Sequence, residues 1–417
     1  MLKSELLEII ENGENSGVEF KRDDVRPEQL AKEIVALANL QGGRVLLGVE
    51  DDGSISGVQR DDLETWVMDT VFGRYIHPLI LPFYEELVLD DGKRVAVVTI
   101  TQGTAKPYVL RSNNREEIYV RVGSTSRLAT REQQARLFES GGMLHAETLP
   151  VSGTSLGNLD MARLTDYLVN VAGDLEAPAT NEDWERRLEG LGLLVAREDG
   201  RPVCTIAGLV LFGRSPRRSL RQAGVRWMSF DGDDMEYQAQ DDTLVDGPMV
   251  ALFEGRAGVG RQLVEPGLVE RLVDRMRPFI SEESNASSEG LRRERVYRYP
   301  LDALRETILN ALVHRDWTRS LEVEVVNYAN RLEVVSPGTL QNSMTIEKML
   351  AGQRSPRNPI IVEIMRDYGY VDMRGMGVRR KIVPLTREYT GQDAQFDLTE
   401  DHLRVVIPAR SDKKTKE

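Results

Sequence analysis

Residues 13–22 read GENSGVEFKR. The pattern predicts a short strand over 18–21, with Val18 and Phe20 inward and Glu19 and Lys21 side by side on the other face. Glu14 lies five residues before Glu19. An ordinary solvated strand edge carries such a pair, and so does a site that holds a metal ion and a phosphate. The stretch by itself leaves both readings open.

Working outward, the first 140 residues alternate as an α+β domain does. A helix is expected near 2–11. Pro27 opens a second, in which Leu30, Ile34, Leu37 and Ala38 make one apolar stripe. Gln41-Gly42-Gly43 ends it, and RVLLGV is a buried strand that runs into the turn EDDG. After a helix around 61–72, FYEELVL and RVAVVTI form a hairpin across Asp90-Asp91-Gly92. EIYVRV and a helix from Thr130 complete the unit. Residues 140–158, rich in Gly, Ser and Thr, read as a linker. A helical connector to residue 202 follows, its second helix capped by Thr180 and its form compatible with a winged helix. Residues 203–410 return to strands and helices, with TIAGLVLFG, GVRWMSF, LEVEVVNYA and RLEVVSPG as strand candidates, and 411–417 form a charged tail.

Composition bounds the function. The chain has 417 residues, 41% of them hydrophobic, which suits two or three globular domains. Its one cysteine, Cys204, excludes a disulfide framework and a cysteine metal cage. No apolar run reaches the about 18 residues of a membrane span, and residues 1–14 lack the pattern of a signal peptide, so a cytoplasmic protein without membrane contact is expected. The net charge of −13 argues against a protein that coats nucleic acid indiscriminately. Two stretches run against that sign. Residues 106–136 carry seven basic residues, Lys106, Arg111, Arg115, Arg121, Arg127, Arg131 and Arg136, against three acids, and residues 354–381 again carry seven against three. Either stretch is a phosphate-binding surface or a solvated face.

EFKRD, then LANLQGGRVLLGVEDDGSISGV, then EIYVRVGSTSR, resembles in this order the Schlafen-type AlbA-like domain, also called divergent AAA-4. That resemblance implies a nucleic-acid-binding module, which some Schlafen proteins use as a metal-dependent endoribonuclease. It places the family's carboxylates on Glu14, Glu19 and Asp51. Such a set would hold Mg²⁺ or Mn²⁺ through oxygen, and Lys21 would neutralise charge on phosphoryl oxygens. Lys106, Arg111, Arg121 and Arg127 are the expected contacts to nucleic acid.

In the second half, YPLDALRETILNALVHRDW predicts a helix. With Glu306 at zero, Asn310 falls at about 40° and His314 at about 80°, while Leu304, Ile308, Ala311 and Leu312 fill the opposite arc. ETILNA resembles the N box of the GHKL ATPases, within an α/β sandwich. The resemblance implies a general base at Glu306, a Mg²⁺ ligand at Asn310, and His314 and Arg315 beside the phosphates of ATP. VVSPGTL, with Gly338, stands where the adenine-binding loop belongs, and GYVDMRGMGVRRK, with Gly375 and Gly377, resembles the second glycine-rich box. SPRNP, residues 355–359, would lie in the connecting lid. The superfamily's DxGxG aspartate is absent here, its place taken by Ser336-Pro337-Gly338, which removes a specific hydrogen bond to adenine.

His77, His145 and His402 are not spaced as metal ligands. Two functions are thereby expected: a metal-dependent, RNA-directed nuclease under nucleotide control, with a place in phage defence, or a non-catalytic DNA-binding regulator that senses a ligand. Regulators of this kind often end in a winged helix, and none is expected after the strand pattern DHLRVVIP. GHKL relatives commonly pair, so a homo-oligomer is expected.

Overall fold

The computed structural model describes residues 1–417 except 104, 198–199, 256–259, 285–293, 342–343, 372–375, 400 and 411–417. It is an α+β chain of two compact units, one of residues 1–144 with 341–343, the other of 145–340 with 344–417.

The first unit is built on a four-stranded sheet in the order Val18–Lys21, Gly42–Leu47, Arg94–Thr101, Phe83–Val88. Its first two strands are parallel and the other pairs antiparallel. A parallel pair needs a crossover, and the helix Pro27–Asn39 supplies it. Alternation then sends successive side chains to two cores. Phe20, Leu46, Val95 and Val97 meet Leu6 and Ile10 of the helix Lys3–Asn12 on one face. Val45, Leu47, Ala96 and Val98 meet Leu30, Ile34, Leu37 and Ala38 of the crossover helix on the other. The sheet is covered on both faces, so Glu19, expected on a solvated or ligand-binding face, is only 4% exposed. Gly43 is required where these layers meet: a Cβ there would lie 2.5 Å from the Gly17 carbonyl oxygen.

The hairpin Tyr119–Val122 and Thr125–Leu128 packs over the crossover helix, with Arg121 opposite Ser126. The helix Arg131–Ser140 follows, started by a reciprocal capping box between Thr130 and Gln133. The helix expected at 61–72 begins at Leu63 and continues in wide π-type turns through Trp66–Tyr75.

The second unit carries a six-stranded sheet in the order Asp241–Val245, Val225–Ser229, Val323–Asn327, Arg331–Pro337, His402–Pro408, Gln395–Leu398. Only Val225–Ser229 with Val323–Asn327 is parallel. The helices Leu268–Ile280, Leu301–His314 and Val383–Thr390 pack against this sheet. Trp227, fully buried beneath them, donates its indole N–H to Asp241 at 2.9 Å.

Two expectations give way in this unit. TIAGLVLFG is a helix over Ile206–Phe212 rather than a strand. A run that is apolar at every position does not reveal its period, and here all seven residues of the helix are buried. Thr205 decides the matter by accepting the Gly208 amide at its N-terminus. The stretch read as a linker is also ordered: Ala146 and Glu147 are wholly buried, and Glu147 accepts the amides of Ile360 and Ile361 at 2.8 and 2.9 Å. The connector helices appear at Met161–Thr165, extended through Asp166–Val171, and at Asn181–Gly190, where Thr180 accepts the Asp183 amide as expected. A two-stranded pair, Leu194–Val195 with Val203–Cys204, follows them, and all share one core with the six-stranded sheet.

Candidate functional site

Around the EFK strand the structure draws together Glu14, Glu19 and Lys21, and adds two residues that sequence reading missed or misplaced. Glu14 accepts the Phe20 amide through Oε1 at 2.8 Å. Lys21 Nζ lies 2.5 Å from Glu19 Oε1 and 4.0 Å from Glu14 Oε1, and donates to the Phe20 carbonyl at 2.8 Å. Glu19 Oε2 lies 2.5 Å from Arg121, whose guanidinium is wholly buried. That contact is close but off the N–H axis, so it is ionic rather than a hydrogen bond. Arg121 also donates to the carbonyls of Asn15 and Val18 at 2.9 and 3.1 Å, and to Glu33 at 3.1 Å. Ser126 donates a short hydrogen bond to the same Glu33 oxygen.

Glu33 is 6% exposed and comes from the crossover helix. Its sequence signal was available: it falls about 60° from Leu30 and about 40° beyond Leu37 on the wheel, at the edge of the apolar stripe, where a buried acid requires a partner. Arg121 was expected as a nucleic-acid contact, but its side chain is a buried counter-ion. Burial holds the Glu14 carboxyl above its ordinary range, against the lowering pull of the Phe20 amide, with the charges of Glu19 and Asp51 adding to the rise. Asp51 itself is exposed, in the turn where Asp52 accepts the Ser54 amide.

A divalent ion needs several oxygens free to converge on it. Here both oxygens of Glu19 face cations, Glu14 is tied to an amide, and no group of three or more His, Cys, Asp or Glu among the described residues is disposed to hold a metal. The residues as placed do not fit Mg²⁺ or Mn²⁺.

The expected phosphate contacts also divide. Lys106 is 9% exposed, donates to the Leu40 carbonyl at 2.6 Å, and burial brings its ammonium down to about 8. It supports the fold and does not present a surface charge. Arg111 is exposed but paired with Glu116 at 2.5 Å. Arg115, Arg127, Arg131 and Arg136 are exposed.

In the second unit, the helix Leu301–His314 buries Leu304, Ile308, Ala311 and Leu312 as its wheel predicts, yet Glu306 and Thr307 are buried as well. Glu306 is approached by Asn310 at 3.4 Å and by Lys381 at 3.4 Å. Gly377 passes so close that a Cβ there would lie 1.7 Å from Glu306 Oε1. The glycine-rich segment does meet the N-box helix, although Gly375 lies outside the described residues. Arg315 does not join this group. Its guanidinium is 1% exposed, donates to the carbonyls of Gln222, Arg319 and Leu321, and stacks on Trp317 at 4.1 Å. Burial brings it down to about 10. His314 is lowered to about 4 by burial and by the charge of Arg357, so it is an uncharged imidazole at neutral pH. Gly338, with φ of 104°, leaves no room for a side chain: a Cβ would lie 2.5 Å from that of Asp316. The expected lid segment is partly anchored, because Asn358 is fully buried and donates to the carbonyls of Val313 and Arg315, both at 2.9 Å.

Residues 14–130 match the Schlafen, AlbA_2 family. The match begins at Glu14 and contains Glu19, Lys21, Glu33, Asp51 and Arg121, so the whole charged network lies in the AlbA_2 segment. Residues 321–407 match the family described as putative ATP-dependent DNA helicase recG C-terminal. That span holds Gly377 and Lys381, while Glu306, Asn310 and His314 precede it. A crystal structure of a Corynebacterium diphtheriae protein is 22% identical over 95% of this chain and 75% of its own, with a TM-score of 0.41. The NMR structure of the N-terminal domain of a putative ATP-dependent DNA helicase RecG-related protein from Nitrosomonas europaea is 22% identical over 30% of this chain and 92% of its own, at a TM-score of 0.24. No curated protein matches the chain. The AlbA_2 segment and the ATPase-like segment point to nucleic-acid binding. Among the described residues, no helix is long and apolar enough to cross a membrane.

Proposed function

We propose that the AlbA_2 segment binds nucleic acid without cutting it, in a chain whose second unit takes a nucleoside triphosphate. The observation that carries the first part is the saturation of Glu19 by Lys21 and Arg121, which leaves the segment's most buried acid no free oxygen for a metal. The exposed arginines Arg115, Arg127, Arg131 and Arg136 supply the attraction to phosphate. In the second unit, Gly377 approaches Glu306 closely enough to bring backbone amides to a phosphate, beside Asn310 and Lys381. ATP would supply differential affinity between two states of the unit, and no hydrolytic step is assigned to these residues.

The other reading is a Mg²⁺- or Mn²⁺-dependent endonuclease acting on RNA, with a role in phage defence. One observation favours it: the charges of Glu19 and Asp51 both act on the Glu14 carboxyl. It requires Lys21 and Arg121 to release Glu19.

Fluorescence anisotropy with labelled tRNA, single-stranded DNA and duplex DNA, in EDTA, tests the proposal. Binding to at least one of them is expected to persist in EDTA and to weaken in an Arg127→Ala/Arg131→Ala variant. Failure to bind all three at low salt contradicts it.

A further inference from the structure

The second unit carries a small antiparallel ribbon, Leu252–Glu254 with Gln262–Glu265, separate from its six-stranded sheet. Leu252–Glu254 packs on the helix Met161–Thr165 and the turns that continue it, which leaves Gln262–Glu265 as the outer strand. Among the described residues, no strand lies beside its outer edge. Alternation usually hides one face of a strand, yet all four of these residues are exposed, with Leu263 and Val264 each at 49%. No other strand among the described residues is exposed throughout. The ribbon is nonetheless held firmly. At one end Arg261 pairs with the buried Asp166 and lies over the Phe253 ring at 4.9 Å. At the other, Glu265 is held by the buried Arg163 at 3.1 Å and by Arg271 at 3.3 Å. A fixed, open strand edge with exposed aliphatic side chains is a template for a further strand.

We infer that this edge pairs with the same edge of a second copy of the chain, antiparallel about a two-fold axis that passes beside Leu263. Such an axis stands normal to the ribbon, so one residue must face its own copy. With Leu263 at the centre, leucine meets leucine, Gln262 meets Val264, and Arg261 meets Glu265 of the second copy, twice over. Opposite charges then face each other at both ends of an apolar centre. Centring on Val264 instead would set Gln262 against Pro266, which has no N–H to donate. The same reasoning excludes the other open edge with exposed apolar side chains, Phe83–Val88 of the first unit. Glu85 and Glu86 lie at its middle, so two-fold pairing along its length sets a glutamate against its own copy. The charge pattern of Arg261–Glu265 therefore selects a second copy as the occupant.

The test combines sedimentation of the full chain with cysteine cross-linking. Wild type should sediment at twice 47.0 kDa. Leu263→Lys, which sets like charges on the axis at a half-exposed position, should weaken self-association at least about tenfold. Leu263→Cys should form an intermolecular disulfide under copper–phenanthroline, because residues facing each other across an antiparallel pair have Cα atoms about 4.5–5.5 Å apart, within disulfide reach. Val264→Cys faces Gln262 of the second copy rather than itself and should stay uncross-linked, as should wild type, whose one cysteine, Cys204, is buried. A monomeric wild type overturns the inference and leaves this edge to a different protein. A dimer that Leu263→Lys leaves intact, or that Leu263→Cys fails to cross-link, also overturns it. So does equal cross-linking of the two cysteine variants.

Discussion

Arg121 is the residue on which the first unit's charged network depends. Its wholly buried guanidinium faces Glu19 and Glu33 at 2.5 and 3.1 Å, so truncation would strand two buried carboxylates. Breaking such a pair costs about 3–5 kcal/mol. Arg121→Ala should lower the stability of the first unit by about that amount in urea, and Arg121→Lys should recover little, because an ammonium cannot reproduce the guanidinium fork. His314 gives a second expectation at this scale. Its folded value near 4 lies below the ordinary 6.5, so the unfolded chain takes up the proton first as pH falls. The stability contribution of the neutral imidazole is therefore complete above 6.5 and is lost as pH drops toward 4. A His314→Gln variant should show a shallower loss of stability over that window, and an unchanged slope would contradict the assignment. The sequence showed the Glu19–Lys21 adjacency, since alternation along a strand requires it. It did not show Arg121 as the counter-ion, because a partner about a hundred residues away is set by how the hairpin folds over the crossover helix.

At the scale of elements, periodicity carried most of the fold. Val18–Lys21, Pro27–Asn39 and Leu301–His314 stand where alternation, a proline at the first turn and a wheel of leucines placed them. Ile206–Phe212 escaped because a uniformly apolar run suits a buried strand as well as a buried helix. Thr205 caps it as a helix, and tertiary packing holds it in place: Gly208 packs so tightly that a Cβ would lie 2.2 Å from the Leu193 carbonyl oxygen. The N-box helix was legible as a helix, but the fates of its polar residues were not. Arg315 follows the helix directly and is drawn to three carbonyls instead of to a ligand. Gly377 yields the prediction for this helix. In Gly377→Ala the methyl would stand 1.7 Å from Glu306 Oε1, so the segment must retreat. ATP affinity, measured by isothermal titration, should fall about tenfold or more while the far-ultraviolet spectrum is retained. Equal affinity would remove Gly377 from the nucleotide site.

For the whole molecule, a net charge of −13 has to coexist with attraction to a polyanion. Binding should therefore be steeply salt-dependent, and each arginine removed from a phosphate contact should reduce the slope of log K against log salt by roughly 0.7 to 0.9. Arg127→Ala is expected to reduce it, whereas Lys106→Ala, being buried, should change stability and leave the slope alone. The resemblance to GHKL proteins also implies self-association, for which sedimentation velocity of the full chain should return a mass above 47.0 kDa. The AlbA_2 segment is expected to meet nucleic acid without cutting it. End-labelled tRNA incubated with the full chain in excess Mn²⁺, beside Glu19→Ala, and resolved on a denaturing gel tests this most directly. Intact tRNA in both lanes, with binding by the wild type, is the predicted result; Mn²⁺-dependent fragments with wild type that vanish with Glu19→Ala would contradict it.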